Sequence, residues 1–315
     1  MSDTPPHIAD NLAFQRRFDA QTGVPVAVSD GIVRVTAPNA SPYTFTGTNT
    51  FLIGRDALCV LDPGPDDKAH LKALLSAIGG RPLEAILLTH THKDHSRLAG
   101  KLSRATGGTP IWFGGKHRTS RPLRRFEINP LIASCDWSLK PDRTLADGDA
   151  VSIEDIRLEV IATPGHCANH LCYGVQGSPL LFSGDHVMGW NSTLVAVPDG
   201  SMADYFASMR KIIDAGYETF LPAHGGPIAD GPAFARALLM HREFRNQQIL
   251  AILESGRKTV GQIVTKLYPR ANVAIKRAAA MTVAAHLEYL AGLDRVELEF
   301  GPTGWVHAAK LIQPS

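Results

Sequence analysis

The sequence has few cysteines and no long apolar run, the features that would indicate an oxidising compartment or a membrane. Its 315 residues include only four cysteines, which are scattered and too few for a disulfide scaffold of this size: Cys59, Cys135, Cys167 and Cys172. No apolar run approaches the roughly 20 residues that cross a bilayer. The first 20 residues have no apolar stretch after a basic start, so they do not resemble a secretory signal. We therefore expect a cytoplasmic protein that has no membrane partner.

The sequence also lacks an excess of charge of either sign. With 32 Lys and Arg against 30 Asp and Glu, the formal net charge is +2, which indicates no particular partner. A hydrophobic content of 44% is typical of a globular protein. Because 315 residues are many for one core, we expect one large domain and one small domain.

Short β-forming runs alternate with turns and helical patterns over the first 230 residues. They predict strands over 31–37, 49–54, 57–62 and 83–89 and a helix over 66–80. A second set predicts strands over 156–165, 170–175 and 179–185, a helix over 202–216, and a last strand followed by a loop over 219–226. Strands followed by helices in two halves indicate an α/β sandwich of layered sheets.

The pattern changes near residue 240. Three helical patterns and an alternating hairpin follow, which is the order of a winged helix, so we predict domains over 1–240 and 241–315. The third helix offers only Lys276 and Arg277 near its start, and the hairpin carries Glu297 and Glu299. We therefore expect this module to cover one wall of an active site, with a nucleic-acid-binding regulator as the alternative.

The stretch ILLTHTHKDHS, residues 86–96, places four polar side chains directly after an apolar strand. Such a group is costly to bury unless something binds it. Three further motifs, TPGHCANH, FSGDH and LPAHGG, place a histidine or an aspartate after other strands. Imidazole and carboxylate groups are zinc ligands, and seven of them suit two ions that share a bridging carboxylate. The seven candidate metal ligands are His90, His92, Asp94, His95, His166, Asp185 and His224.

These motifs, in this order, resemble the metallo-β-lactamase fold hydrolases over roughly residues 25–230. The resemblance implies a four-layer αββα sandwich in which His90, His92 and His166 bind one metal. It implies that Asp94, His95 and His224 bind a second, that Asp185 bridges, and that Asp62 orients a ligand histidine. The segments GTNTFLIG, THTHKDHS and HREFRNQQI and the C-terminal winged helix are most similar to the beta-lactamase-like-2 subgroup.

The resemblance implies a dinuclear hydrolase with two Zn²⁺, or with Mn²⁺ or Fe²⁺ in their place. Two such ions lower the pKa of a bridging water and hold hydroxide ready to attack. The candidate catalytic residues are Asp94 and His170, although His170 could instead support a strand. Cys167, beside His166, is interpreted as a packing residue.

The sequence indicates the type of reaction more clearly than it indicates the substrate. Animal members of the subgroup are described as endoribonucleases, so we predict an RNA phosphodiester or another anionic substrate. The loop WFGGKHRTSRPLRRF would steer it, or would instead form a solvated rim or a homodimer contact. Its cations are Lys116, Arg118, Arg121, Arg124 and Arg125. The alternative is a small-molecule ester: a thioesterase or lactonase similar to glyoxalase II, with weak β-lactamase activity.

Overall fold

Two mixed β-sheets face each other at the centre of the structure, a computed structural model that describes residues 12–312. Two segments lie outside the described residues. They are residues 1–11, which belong to the segment predicted not to be a secretory signal, and residues 313–315, which belong to the predicted C-terminal domain. No helix within 12–312 has the length and apolar character needed to span a membrane.

The first sheet has seven strands in chain order, β1 to β7. Neighbours from β1 to β4 are antiparallel, and neighbours from β4 to β7 are parallel. The strands span Pro25–Ser29, Ile32–Thr36, Asn49–Gly54, Leu58–Leu61, Leu83–Leu87, Ile111–Phe113 and Arg143–Thr144.

The second sheet has five strands in the order β12-β11-β10-β9-β8. Its neighbours are antiparallel except β11 and β12, which are parallel. From β8 to β12 the strands span Ala150–Ile153, Ile156–Ala162, Leu171–Val175, Leu180–Gly184 and Thr219–Pro222.

Helices cover the outer face of each sheet. On the first sheet lie α1 (Lys68–Ile78), which is capped by the Asp67 side chain, the single turn α2 (Lys93–Ser96) and α3 (Ala99–Ala105). On the second lie α4 (Met202–Ile213), capped by Ser201, and α5 (Gly231–Glu254), capped by Asp230. The layers are thus helix, sheet, sheet and helix, which confirms the predicted α/β class.

The apolar side chains of β3 show why the central strands have no polar face. Phe51 and Ile53 point into the core between the two sheets, whereas Leu52 packs with the helices on the other side. Both faces of the strand are therefore covered, and each such buried side chain stabilises the fold by about 1.5–3 kcal/mol. The same double burial explains the continuous apolar run that ends at the His90 motif.

The C-terminal segment has the predicted order of elements. After α5 come β13 (Lys258–Thr259), α6 (Val260–Leu267), α7 (Val273–Gly292), β14 (Val296–Phe300) and β15 (Val306–Leu311), and β15 lies between β13 and β14. The predicted division at 240/241 falls inside α5, a continuous helix of 24 residues. Buried residues of α4, α5, α7 and β15 belong to one hydrophobic cluster, so the two predicted domains share a core. Their separate assignment stays a prediction.

The basic loop 116–125 is tied to α7 by ion pairs. Arg121 contacts Glu127 at 2.6 Å and Glu288 of α7 at 2.7 Å, and Arg124 contacts Glu288 at 2.8 Å. The Glu288 side chain is only 15% exposed, so this network is partly shielded from water and salt. It joins the first sheet's loop to the C-terminal segment.

We predict that Glu288→Gln lowers the free energy of unfolding by about 1–3 kcal/mol, because two arginines lose a charged partner in a shielded site. Urea denaturation followed by circular dichroism measures the change. The matched control is Glu299→Gln, which removes the exposed Arg257–Glu299 pair and should leave stability unchanged. Equal stabilities for the two variants would show that the loop network does not hold α7.

Candidate metal centre

The candidate ligands come together because the strands that precede them end at one edge of the sandwich. The parallel strands β4 and β5 pair Leu61 with Leu87, and the parallel strands β11 and β12 pair Gly184 with Pro222. Side chains that follow these strands therefore emerge side by side. Gly184 has a φ of 52°, and a Cβ there would lie 2.6 Å from His170 Nε2, so glycine is needed for this close turn.

Three histidines form the first group of ligand atoms. Nδ1 of His92 lies 3.0 Å from Nε2 of His90 and 2.9 Å from Nε2 of His166. The three ligand nitrogens lie within 4.8 Å of one another, and all three residues are buried. This is the triplet expected to bind the first metal.

The second group pairs carboxylates with histidines. Asp94 Oδ2 lies 3.4 Å from His224 Nε2 and 3.6 Å from His95 Nε2. Asp185 lies between the groups, since its Oδ2 is 3.6 Å from His166 Nε2 and its Oδ1 is 3.3 Å from His224 Nε2. The structure thus brings all seven predicted ligands together, and Asp185 lies between the two groups.

The polar atoms of the cluster fit a cation better than they fit one another. His95 Nε2, His224 Nε2 and Asp185 Oδ1 are buried and have no hydrogen-bond partner among the described residues. In the first group, the three ligand nitrogens lie within 4.8 Å of one another and carry lone pairs, because the protons are on the other ring nitrogens. Buried lone pairs in this arrangement are costly unless a cation accepts them. The donor set of five imidazoles and two carboxylates suits borderline divalent ions.

Each ligand histidine donates its other ring N–H to the protein, which fixes its tautomer. His95 Nδ1 donates to Asp62 at 2.9 Å, and His90 Nδ1 donates to the Thr89 hydroxyl, which in turn donates to Asp62. His166 Nδ1 donates to the Leu194 carbonyl at 2.7 Å. Asp62 thus contacts a candidate ligand histidine, as the resemblance implies, and its orienting role stays a prediction.

Asp199 is a functional residue that the sequence analysis missed. Its fully buried carboxylate accepts hydrogen bonds from His92 Nε2 at 2.9 Å and from His117 Nε2 at 2.8 Å. Burial raises the pKa of Asp199, but the hydrogen bonds from His117 and His92 outweigh it and hold the pKa well below its usual range. Asp199 thereby turns Nδ1 of His92 toward the ligand cluster. No local motif marks it, because its partners come from distant loops.

The pKa of a histidine is lowered in the first group and raised in the second group. Burial, together with His92, lowers the pKa of His166 to about 4, so its Nε2 carries a free lone pair at neutral pH. Burial also lowers the pKa of His224, but Asp185 and Asp94 outweigh it and raise the pKa to about 9. Without a metal, His224 is therefore protonated at neutral pH, and metal binding would displace this proton.

His170 does not lie where a catalytic residue would be. It is 1% exposed, its Nδ1 donates to Thr163, and its Nε2 accepts the backbone N–H of Asp185. Both ring nitrogens are thus used, and the residue does not line the cleft. The predicted contact with substrate is therefore corrected: His170 accepts the backbone N–H of Asp185 and lies outside the cleft lining. The four-residue spacing between His166 and His170 could not show whether His170 lies in the cleft or packs against Asp185.

A cleft of about 540 Å³ opens over the ligand cluster, with His92, Asp94, His166 and Asp185 at its floor. Its walls are mostly apolar, and Lys93 is the one lysine or arginine among the described residues that line it. Met281 of α7 belongs to the wall. The other apolar wall residues are Pro42, Tyr43, Pro130, Leu131, Ala133, Met188, Trp190 and Leu194.

The basic loop does not face this cleft. None of its five cations lines the cavity, and Arg121 and Arg124 pair with glutamates instead. Arg118 donates to the carbonyls of Gly114 and Ala168. The expectation that this loop steers substrate is therefore corrected: two of its cations attach the loop to α7. Their partner Glu288 is too distant in sequence to have been foreseen.

Comparisons with known proteins agree with this geometry. The sequence profile described as the metallo-beta-lactamase superfamily matches residues 43–224. The lactamase-like protein aptB of Emericella nidulans is 29% identical, covering 87% of this chain and 85% of that protein. The beta-lactamase-like protein 2 homolog of Caenorhabditis elegans is 28% identical, covering 84% and 85%. An atrochrysone carboxyl ACP thioesterase of Aspergillus fumigatus is 28% identical, covering 80% and 75%.

A solved structure shows the same fold. The metallo-beta-lactamase family protein of Thermus thermophilus superposes with a TM-score of 0.73 at 25% identity, covering 91% of this chain and 100% of that one. The fold and the ligand cluster together define a metal-dependent hydrolase. The chain belongs to the metallo-β-lactamase superfamily.

We predict that Asp199→Asn weakens metal binding at the first group about 10- to 100-fold, because His92 loses the acceptor that fixes its tautomer. Competition with a chromophoric chelator measures the affinity. Asp214→Asn, at an exposed position after α4, is the matched control and should bind metal as the wild type does. If both variants bind equally, Asp199 does not orient His92.

Proposed function

We propose that this chain is a dinuclear zinc hydrolase that cleaves acyl thioesters or closely related esters. The observation that carries the proposal is the pair of ligand groups at the floor of a mostly apolar cleft. The ligand cluster supports two metal ions, and the apolar walls support an acyl group as the part of the substrate bound beside them.

His90, His92 and His166 would hold one ion, Asp94, His95 and His224 the other, and Asp185 would lie between them. Bound divalent cations would supply Lewis acidity that lowers the pKa of a water molecule and polarises a carbonyl oxygen. Zinc suits the imidazole and carboxylate donors, and Mn²⁺ or Fe²⁺ are the alternatives.

Asp94 is the most exposed of the carboxylates in the cluster, with 31% of its side chain accessible from the cleft. In the proposed reaction, water adds its oxygen to the thioester carbonyl carbon and the carbon–sulfur bond breaks. Asp94 accepts the proton of the water and returns it to the leaving sulfur, which gives a carboxylic acid and a thiol. No serine or cysteine nucleophile is needed, and Cys167 is buried in the packing.

The thioester is preferred to RNA because of the charges along the cleft. RNA carries a phosphate on every nucleotide, but the cleft offers Lys93 alone, and its ammonium group already donates to the Ala133 carbonyl. The Aspergillus fumigatus relative is named as an acyl-carrier thioesterase, which supports the same choice. RNA cleavage, suggested by the resemblance to the beta-lactamase-like-2 subgroup, remains the competing proposal.

We also propose that residues 241–315 act as a winged helix that closes the cleft and does not read a nucleic-acid groove. The order of α6, α7 and the β14–β15 hairpin supports the assignment, and the position of Met281 on α7 supports the covering role. In the hairpin, Glu297 and Glu299 pair with Lys310 and Arg257, so this surface is close to neutral.

The test is a substrate panel of an acyl thioester, a lactone, a β-lactam and single-stranded RNA, offered to the zinc-loaded protein. We predict thioester turnover that Asp94→Ala and His166→Ala reduce at least about 10³-fold, with the circular dichroism spectrum unchanged. His307→Ala, on the exposed face of β15, is the matched control. Cleavage of RNA but of no thioester, or wild-type rates in either variant, would contradict the proposal.

A further inference from the structure

A second cavity, of about 310 Å³, continues the cleft on the side of the C-terminal helices. Both cavities are lined by the same five residues: Pro42, Tyr43, Asn191, Ser192 and Leu194. The two cavities therefore adjoin at these residues, and we call the second one the basic pocket.

The far wall of the basic pocket is cationic and has no acidic residue. His241, Arg242 and Arg245 of α5 line it together with His286 of α7, and none of the described lining residues is Asp or Glu. The neighbouring Glu243 pairs with Arg210 instead. Within residues 12–312, no carboxylate oxygen lies within 4.0 Å of the Arg242 or Arg245 guanidinium nitrogens. Two partly buried guanidinium groups without a counter-ion are unusual in a folded protein.

Several donors in this wall are unused. The Arg245 guanidinium makes no hydrogen bond to residues 12–312 and lies over the Tyr268 ring at 4.8 Å. Arg242 Nε and His241 Nδ1 are buried and lack a partner among the same residues. Arginine presents a fork of donors that matches phosphate oxygens, and such charged hydrogen bonds are strong.

The electrostatics of the basic pocket favour an anionic ligand. Burial lowers the pKa of Arg245, and the charge of Arg242 lowers it further. Burial, then Arg242 and Arg245, lower the pKa of His241 to about 4, so this histidine is neutral at pH 7. A bound anion would offset the cost of the two buried cations.

The basic pocket is close to the candidate metal centre. Arg242 donates to the carbonyl of Thr193, and His166 donates to the carbonyl of Leu194, the next residue. Consecutive Cα atoms are about 3.8 Å apart, so one peptide unit separates the pocket wall from a metal-ligand contact.

We propose that the basic pocket binds the phosphate of a pantetheine-type carrier arm, so that the substrate is an acyl thioester of phosphopantetheine, as in acyl carrier proteins and coenzyme A. This inference rests on the proposed function. The phosphate is held by Arg242 and Arg245, and the thioester extends along Pro42 and Tyr43 to the floor of the cleft.

The distribution of charge favours this ligand over a nucleic acid. Arg242 and Arg245 line the basic pocket, and the five residues shared by the two cavities are uncharged, which suits one terminal anion on a neutral arm. The α7 side of the basic pocket is aliphatic, with Ala278, Ala279 and Val283, and would contact the dimethyl group next to the phosphate.

The experiment compares an acyl-4′-phosphopantetheine with the same acyl-pantetheine, which lacks only the phosphate. We expect the wild type to favour the phosphorylated thioester about 10- to 100-fold in kcat/KM. Arg245→Gln should bring the ratio close to one, and Arg245→Lys should leave an intermediate ratio. Arg236→Gln, at an exposed position on the same helix, is the matched control and should keep the wild-type ratio.

Binding of the two S-methyl thioethers, measured by calorimetry, tests the pocket without turnover. A phosphate preference that depends on Arg245 supports the proposal even if neither thioester is hydrolysed, in which case the proposed function fails alone. Equal binding of the two thioethers by the wild type, or a preference that survives in Arg245→Gln, overturns the proposal. So does a single-stranded RNA whose binding depends on Arg245 while the phosphorylated thioether does not bind.

Discussion

The constraint on which the structure depends is the burial of three imidazole lone pairs, on His90, His92 and His166, that have no proton to share. Nε2 of His90 and Nε2 of His166 each lie about 3 Å from Nδ1 of His92. Asp185 lies close to histidines of both groups, His166 and His224. Divalent cations would relieve this repulsion, and each of the five histidines uses its other ring nitrogen to contact the protein. The paired parallel strands, the glycine at 184 and the buried carboxylates of Asp62 and Asp199 all serve to hold these atoms.

The parts of this site that could be predicted are those encoded locally. His90, His92, Asp94 and His95 follow one apolar strand, and a buried strand that ends in histidines is visible without a structure. Asp199 could not be found in this way, because its partners His92 and His117 lie 107 and 82 residues away. For the same reason, His170 was placed in the cleft when it lies beneath Asp185, since sequence spacing does not give depth.

The C-terminal segment shows a similar contrast. Its helices and hairpin were predicted from their periodicity, but the division at 240/241 falls within α5, since the cap at Asp230 starts this helix before the composition changes. The loop at 116–125 looked like an anion-steering surface because Glu288, its counter-ion, comes more than 160 residues later. Arg242 and Arg245, by contrast, line the basic pocket. The C-terminal helices thus complete one wall of the cleft and the basic pocket beside it.

The most direct test of the central claim is anomalous X-ray diffraction from crystals of the protein grown with zinc, recorded on both sides of the zinc absorption edge. We predict two zinc peaks. One should lie within ligand distance, about 2.0–2.2 Å, of His90, His92 and His166, and the other at the same distance from Asp94, His95 and His224. Peaks elsewhere, or a cluster that stays metal-free in ample zinc with its histidines bonded to one another, would contradict the account.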